Sequence, residues 1–210
     1  MAKTYKVKEI FYTLQGEGYH NGRAAVFCRF AGCNLWSGLE KDRATAICKF
    51  CDTDFWGTDG VLGGKYEATE LASTINGLFK GDSNKFVVCT GGEPALQLDK
   101  ALIDALHSYG FEIAIETNGT IPLAADIDWV CVSPKADTEI LVKSGDELKL
   151  VYPQMENVPD QFESLQFKHY YLQPLDDINK LMNVAACVDY CKENPKWKLS
   201  MQMHKEAGIP

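Results

Sequence analysis

Three cysteines, Cys33, Cys48 and Cys51, are spaced C-x14-C-x2-C in the stretch CNLWSGLEKDRATAICKFCDT, which is too polar and too Gly-containing to be a core strand. Thiolates are soft donors that hold iron–sulfur cores, and a set of three leaves one iron of a [4Fe–4S] cluster open to a ligand from outside. Tetrahedral Zn²⁺ competes for the same residues, with Cys28-x4-Cys33 and Cys48-x2-Cys51 as its four thiolates. Against zinc, Cys28 falls mid-strand between Val26 and Phe30 and reads as a core thiol. Eight cysteines in 210 residues do not require disulfides, since a core of this size needs no staples and the clustered thiols suit metal or redox ligation better.

Other residues of chemical interest stand at strand ends. TGGEP (90–94), ETNG (116–119), SPK (133–135) and QPLD (173–176) each follow an apolar run, where parallel α/β folds place their sites. Arg29 lies on the otherwise apolar strand AAVFCRF, where a charge is costly unless paired; a substrate carboxylate and a protein carboxylate are equally good partners. The segment TLQGEGYHNGR, with Gly16, Gly18 and Gly22, is an irregular connection whose backbone can approach a ligand. In W197-K-L-S-M-Q-M-H204 the alternation puts Lys198, Ser200, Gln202 and His204 on one face of an expected strand, which lines a site or ends in solvent.

The elements that must position these residues follow from periodicity. Strands are expected at 5–12, 24–30, 85–89, 111–115, 129–132, 147–151, 170–172 and 197–203. Helices are expected at 66–80, 95–109 (Leu98, Leu102, Leu106) and 177–191 (Ile178, Leu181, Met182, Ala185, Val188). This order implies an α/β fold, a mostly parallel sheet with right-handed crossovers that closes partly, like an incomplete TIM barrel, with too few helices for eight repeats and the cysteine loop inserted. No repeat, linker or low-complexity segment divides residues 1–210, so one domain is expected. A net charge of -8 offers no basic field for nucleic acid, no apolar run reaches membrane-spanning length, and the N-terminus has no apolar signal segment. A cytoplasmic protein with a small-molecule substrate is the expectation.

These motifs carry a resemblance over nearly the whole chain. TLQGEG (13–18), F27-C-R29 leading into AGCN (31–34), CxxCDT (48–53), TGGEP, ETNG, SPK and YLQP together resemble the radical S-adenosylmethionine (SAM) superfamily and, within it, the 7-carboxy-7-deazaguanine synthase family of the queuosine (7-deazapurine) pathway. The x14 spacing departs from the superfamily's usual C-x3-C-x2-C and expands the loop at 34–47. The resemblance implies a lyase that converts 6-carboxy-5,6,7,8-tetrahydropterin to 7-carboxy-7-deazaguanine with loss of ammonia, initiated by a 5′-deoxyadenosyl radical made from S-adenosyl-L-methionine. A [4Fe–4S] cluster, SAM and Mg²⁺ are the implied cofactors, a flavodoxin the usual electron donor, and a homodimer the family expectation.

Residue by residue, the resemblance implies that Cys33, Cys48 and Cys51 hold the cluster and Thr53 the Mg²⁺; by itself Thr53 reads as a turn cap. SAM would lie against Phe50, Cys51, Asp52, Gly92, Glu93, Glu116, Ser133, Pro134, Lys135 and Gln173, Pro174, Leu175 and Asp176. The pterin would meet Leu14, Gln15, Gly16, Glu17, Arg29, Thr90, His204 and Pro210. For Pro210 the group of interest is the terminal carboxylate, ionised at neutral pH and able to accept two parallel hydrogen bonds, although chain ends commonly fray. Two other functions remain open: a different radical SAM reaction, such as a glycyl-radical activase, and a non-enzymatic zinc module.

Overall fold

Alternation along the strands decides which residues face helices and which face the site. The computed structural model describes residues 3–210. Its strands are β1 (Tyr5–Leu14), β2 (Ala24–Phe30), β3 (Gly64–Tyr66), β4 (Phe86–Gly91), β5 (Glu112–Thr117), β6 (Trp129–Val132), β7 (Ser144–Tyr152), β8 (Gln166–Pro174) and β9 (Trp197–Leu199). They form one nine-stranded sheet in the order β3-β1-β2-β4-β5-β6-β7-β8-β9. From β2 to β9 every neighbouring pair is parallel, whereas β1 runs antiparallel to both β2 and β3. The sheet curls without its ends pairing, so the architecture is a partial barrel, as the periodicity implies.

Helices α1 (Ala68–Leu78) and α2 (Lys100–Ser108) cover the outer face of the first half. Val26, Cys28, Phe30, Val87, Cys89, Ile113 and Ile115 point to them and are fully buried with Leu71, Ile75, Leu102 and Leu106. Helix α3 (Lys180–Glu193) covers the second half, over Val132, Leu148, Leu150, Leu172 and Trp197. Because strand side chains alternate, the intervening residues line the concave face. There Ala25, Phe86, Val88 and Ala114 fill the N-terminal end of the strands. Arg29, Thr90, Glu116, Lys149 and Gln173 lie toward the C-terminal end and line a cavity.

Several expected boundaries move for identifiable reasons. The helix expected at 95–109 is interrupted: Pro94–Leu96 is a short 3₁₀ turn and α2 begins at Lys100, because the Asp99 carboxylate accepts the Leu102 N–H at 3.3 Å and caps a new helix. The last strand ends at Leu199 rather than 203, and Met203–Ala207 is a short helix, α4. The chain turns there because the Met203 N–H donates to the Gly16 carbonyl at 2.9 Å and the Ser200 hydroxyl accepts the Gly18 N–H at 2.9 Å. Helix α3 begins three residues after the expected start, and its packed stripe is Asn183, Cys187, Tyr190 and Cys191, while Ile178, Leu181 and Met182 are 98%, 86% and 72% exposed. Asn183 takes the inward position by donating its amide to the Leu175 carbonyl and the Asp177 carboxylate at 2.8 and 2.9 Å. The three-residue strand β3 was not expected; GKY is too short to show a period.

Candidate active site

At the C-terminal ends of the strands lies a cavity of about 470 Å³. Its wall gathers residues from six strands and from loops remote in sequence, among them Leu14, Gln15, Gly16, Glu17, Arg29, Thr90, Glu116, Ser133, Lys135, Gln173, Pro174, Leu175 and Asp176. Phe50, Cys51, Asp52 and Thr53 of the cysteine loop and Gly92 line it as well. His204 and Pro210 reach it from the chain's end. Glu93 and Pro134 are not on this wall. The Glu93 carboxylate is fully buried and turned into the protein, accepting from Ala95 N–H, Thr117 Oγ1 and Asn118 N–H at 2.9, 2.7 and 2.8 Å. Glu93 therefore braces the TGGEP turn against the ETNG turn; burial pushes its carboxyl up, against the three donors. The Pro134 carbonyl accepts from Asn157 at 3.1 Å.

Cys48 lies on the cavity wall with Cys51, whereas Cys33 opens on a smaller adjoining hollow with Trp36 and Ala46. Cys33 and Cys51 both pack against the apolar group of Trp36, Ala46 and Phe55. The Cys48 thiol donates to Cys51, which lowers the Cys51 thiol to about 6 against the effect of burial and pushes Cys48 up. Behind them Gly92 fits so closely that a Cβ there would meet the Gly32 carbonyl and come within 2.8 Å of Cys33 Cβ. The residues fit an iron–sulfur cluster: three soft donors share a partly buried, apolar-backed loop beside an open cavity, and a cluster takes each thiolate at a different iron. They do not assemble the four-thiolate zinc set. Cys28 is fully buried on the outer face, opposite Cys89 across β2 and β4, and among the described residues no three His, Cys, Asp or Glu side chains converge as for a single ion.

Arg29 has both of its possible partners in view. Its Nε donates to Glu9 Oε1 at 2.8 Å, so the protein-carboxylate pairing occurs, yet the side chain also lines the cavity. Phe11 and Phe27, stacked with ring centroids 5.5 Å apart, form an apolar wall nearby. Lys135 is half-buried and donates to Ser133 O and Oγ at 2.8 and 2.7 Å; desolvation lowers its ammonium, while Cys48 and Cys51 act in the opposite sense. The Pro210 backbone oxygen accepts from Thr13 Oγ1 at 2.9 Å, which holds residue 210 at the cavity. Lys205 of α4 bridges Asp52 of the cysteine loop, at 2.8 Å, and Asp176 at the end of β8.

At the most charged part of the wall the carboxylates Glu17 and Glu116 were expected, but the cation between them was not. Lys149, only 4% exposed, pairs with Glu17 at 2.8 Å and Glu116 at 3.0 Å. Glu17 also accepts from Gln173 and Gln202, each at 3.0 Å, and Glu116 from Gln15 at 3.2 Å. Burial raises the Glu17 carboxyl, but the Lys149 charge and the amide and histidine neighbours outweigh it and bring it down to about 2. The signal for Lys149 is present in E147-L-K149, where two charges alternate with apolar residues as Arg29 does. Thr13 and Lys205 carry no comparable signal, being ordinary on a strand end and near a terminus.

Comparison with known proteins follows the same lines. No protein-family model matches the chain. It is 58% identical to a 7-carboxy-7-deazaguanine synthase of Burkholderia multivorans, over 99% of this chain and 100% of that one. With the protein of that name from Bradyrhizobium diazoefficiens it shares 59% identity over 98% of this chain and 99% of the other. Among solved structures it superposes on the crystal structure of QueE from Escherichia coli with a TM-score of 0.76 and 28% identity, covering 96% of this chain and 95% of that one.

Proposed function

The chain belongs to the 7-carboxy-7-deazaguanine synthase family, and from that premise we propose that it carries out the radical SAM ring contraction of 6-carboxy-5,6,7,8-tetrahydropterin to 7-carboxy-7-deazaguanine with release of ammonia. The observation that carries the reading is the single cavity in which the cysteine loop, Arg29, the Glu17 carboxylate and Pro210 meet. Cys33, Cys48 and Cys51 would hold the cluster, which together with SAM would supply one-electron radical chemistry.

The protein's own residues hold and shield the reactants. Arg29, with Nε fixed by Glu9, presents its remaining donors to the pterin carboxylate. Glu17, low in pKa and therefore an acceptor only, takes an N–H of the pterin's amine or ring edge, as does the Pro210 carboxylate held by Thr13. Leu14, Gln15, Gly16, Thr90 and His204 complete this half, and Phe11 and Phe27 back the flat ring. On the other half, Phe50, Asp52, Gly92, Glu116, Ser133, Lys135 and the segment Gln173, Pro174, Leu175 and Asp176 serve SAM. Glu93 and Pro134 act behind that wall as braces. Thr53, on the cavity wall, would hold Mg²⁺, with water and the substrate carboxylate able to complete the set. Lys205 closes α4 over the cavity and limits access of water. We take the electron donor to be a flavodoxin and the enzyme to be a cytoplasmic homodimer; no helix is long and apolar enough to cross a membrane among the described residues.

The test is anaerobic reconstitution followed by pterin turnover. Wild type and Cys28→Ser are expected to bind about four iron per chain and to form the 7-deazaguanine product by mass spectrometry, whereas Cys48→Ala is expected to do neither. One equivalent of zinc, no iron and no turnover would overturn the reading.

A further inference from the structure

Lys149 is a buried ammonium placed between carboxylates from three elements. Glu17 faces it from the loop after β1, Glu116 from β5, and Glu147 from its own strand; Cys131 on β6 faces it too, with Lys135 farther off and His204 of α4 beside Glu17. Removing a charge from water is unfavourable by several kcal/mol unless excellent partners replace it, and here two ion pairs of 2.8 and 3.0 Å do so. The partners benefit in turn. Glu17 has three of its roughly four acceptor sites filled by Lys149, Gln173 and Gln202, so its orientation is fixed with capacity left for one ligand donor.

We propose that Lys149 is a positioning residue for the pterin: it ties Glu17 to Glu116 across the cavity and keeps Glu17 an acceptor for the amine and ring N–H donors of the substrate. This rests on the functional reading above, since it names what the Glu17 carboxylate is held ready to receive. A neutral residue at 149 would leave Glu17 half-buried on the cavity wall, beside Glu116 and Glu147, without a counter-charge. Glu17 would then take up a proton at neutral pH and turn from an acceptor into a donor facing donors.

The test uses the reconstituted holoenzyme and the fluorescent, unreactive analogue 6-carboxypterin. Lys149→Met is expected to weaken its binding about 100-fold at pH 7, relative to wild type, with the ratio shrinking toward unity as pH rises to about 9 and Glu17 ionises. Glu147 titrates in the same range and also loses the Lys149 charge, so the ratio is taken with Glu147→Gln in both proteins. Lys149→Arg is expected to restore most of the binding, and cluster absorbance is expected to stay unchanged. A ratio independent of pH, or an Arg variant no better than Met, would reduce Lys149 to a structural residue. Infrared titration without ligand gives a second arm: Lys149→Met should show an additional protonated carboxyl at pH 7 that disappears in Lys149→Met/Glu17→Gln. Absence of that band overturns the proposal. If wild type binds no pterin, the functional reading fails and the infrared arm alone judges Lys149. Should Lys149→Met not fold, Lys149→Met/Glu116→Gln, with one buried charge of each sign removed, undergoes the same titration.

Discussion

Replacing Gly16 by Ala isolates the contribution of α4 to the site. Gly16 has no left-handed backbone, so Ala brings no conformational strain of its own, and the effect is steric. The new Cβ would collide with His204 Nδ1 and lie 2.9 Å from both its Cβ and Cγ. Ordinary carbon contacts are about 3.5–4.0 Å, so the imidazole must retreat on the order of 1 Å. The retreat has to move the start of α4, because Met203 is pinned to the Gly16 carbonyl on the same spot. A misplacement of about 1 Å at a reacting centre can reduce rate about 10²-fold, or roughly 2.7 kcal/mol. We therefore expect Gly16→Ala to lower kcat/KM for the pterin by about that factor, measured by anaerobic steady-state turnover, with iron content and SAM binding unchanged. Because the effect is transmitted through one side chain, whose Cβ is among the atoms met, adding Gly16→Ala to His204→Gly should lower kcat/KM little further. Wild-type kinetics in Gly16→Ala, or losses that multiply in the double variant, would refute the reasoning.

Three further outcomes concern stability. Glu147 is 3% exposed, with Oε1 unpaired; burial, then the Glu116 and Glu17 charges, against Lys149 and the Tyr19 N–H, raise its carboxyl to about 7. A folded-state pKa above the unfolded one means that stability present below about pH 4.5 is lost as pH rises through about 7, roughly 3 kcal/mol, so Glu147→Gln should flatten urea-denaturation stability across that window. Glu17, depressed to about 2, works the other way, its contribution being lost as pH falls from about 4.5 toward 2. Glu93→Ala leaves three buried donors without an acceptor and should lower unfolding free energy by about 3 kcal/mol or more, seen as a lower urea midpoint at unchanged slope.

What the amino-acid sequence determined by itself is whatever local period and local chemistry encode. The parallel strands, their two faces and the polar segments at their ends follow from alternation, and most residues singled out on those segments do line one cavity. The cysteine spacing names a ligand set without the fold, and Arg29 announces itself as a charge on an apolar strand. Tertiary structure alone decided what depends on pairing between distant segments. Glu93 has the composition of a ligand-facing residue, but its three donors come from its own turn and from the ETNG turn, which only the packing of β4 on β5 brings together. Residues 200–204 alternate as a strand does, yet two hydrogen bonds to the Gly16–Gly18 loop at the other end of the chain outweigh that local preference and wind α4. Helix α3 likewise carries two stripes, and the apolar one at Leu181 and Met182 lost to Asn183 and Cys187 because the latter meet β8 and its end. The charge on Lys149 was legible, but its partners were not: a period locates a side chain on a face, whereas the order of strands determines which carboxylates that face meets.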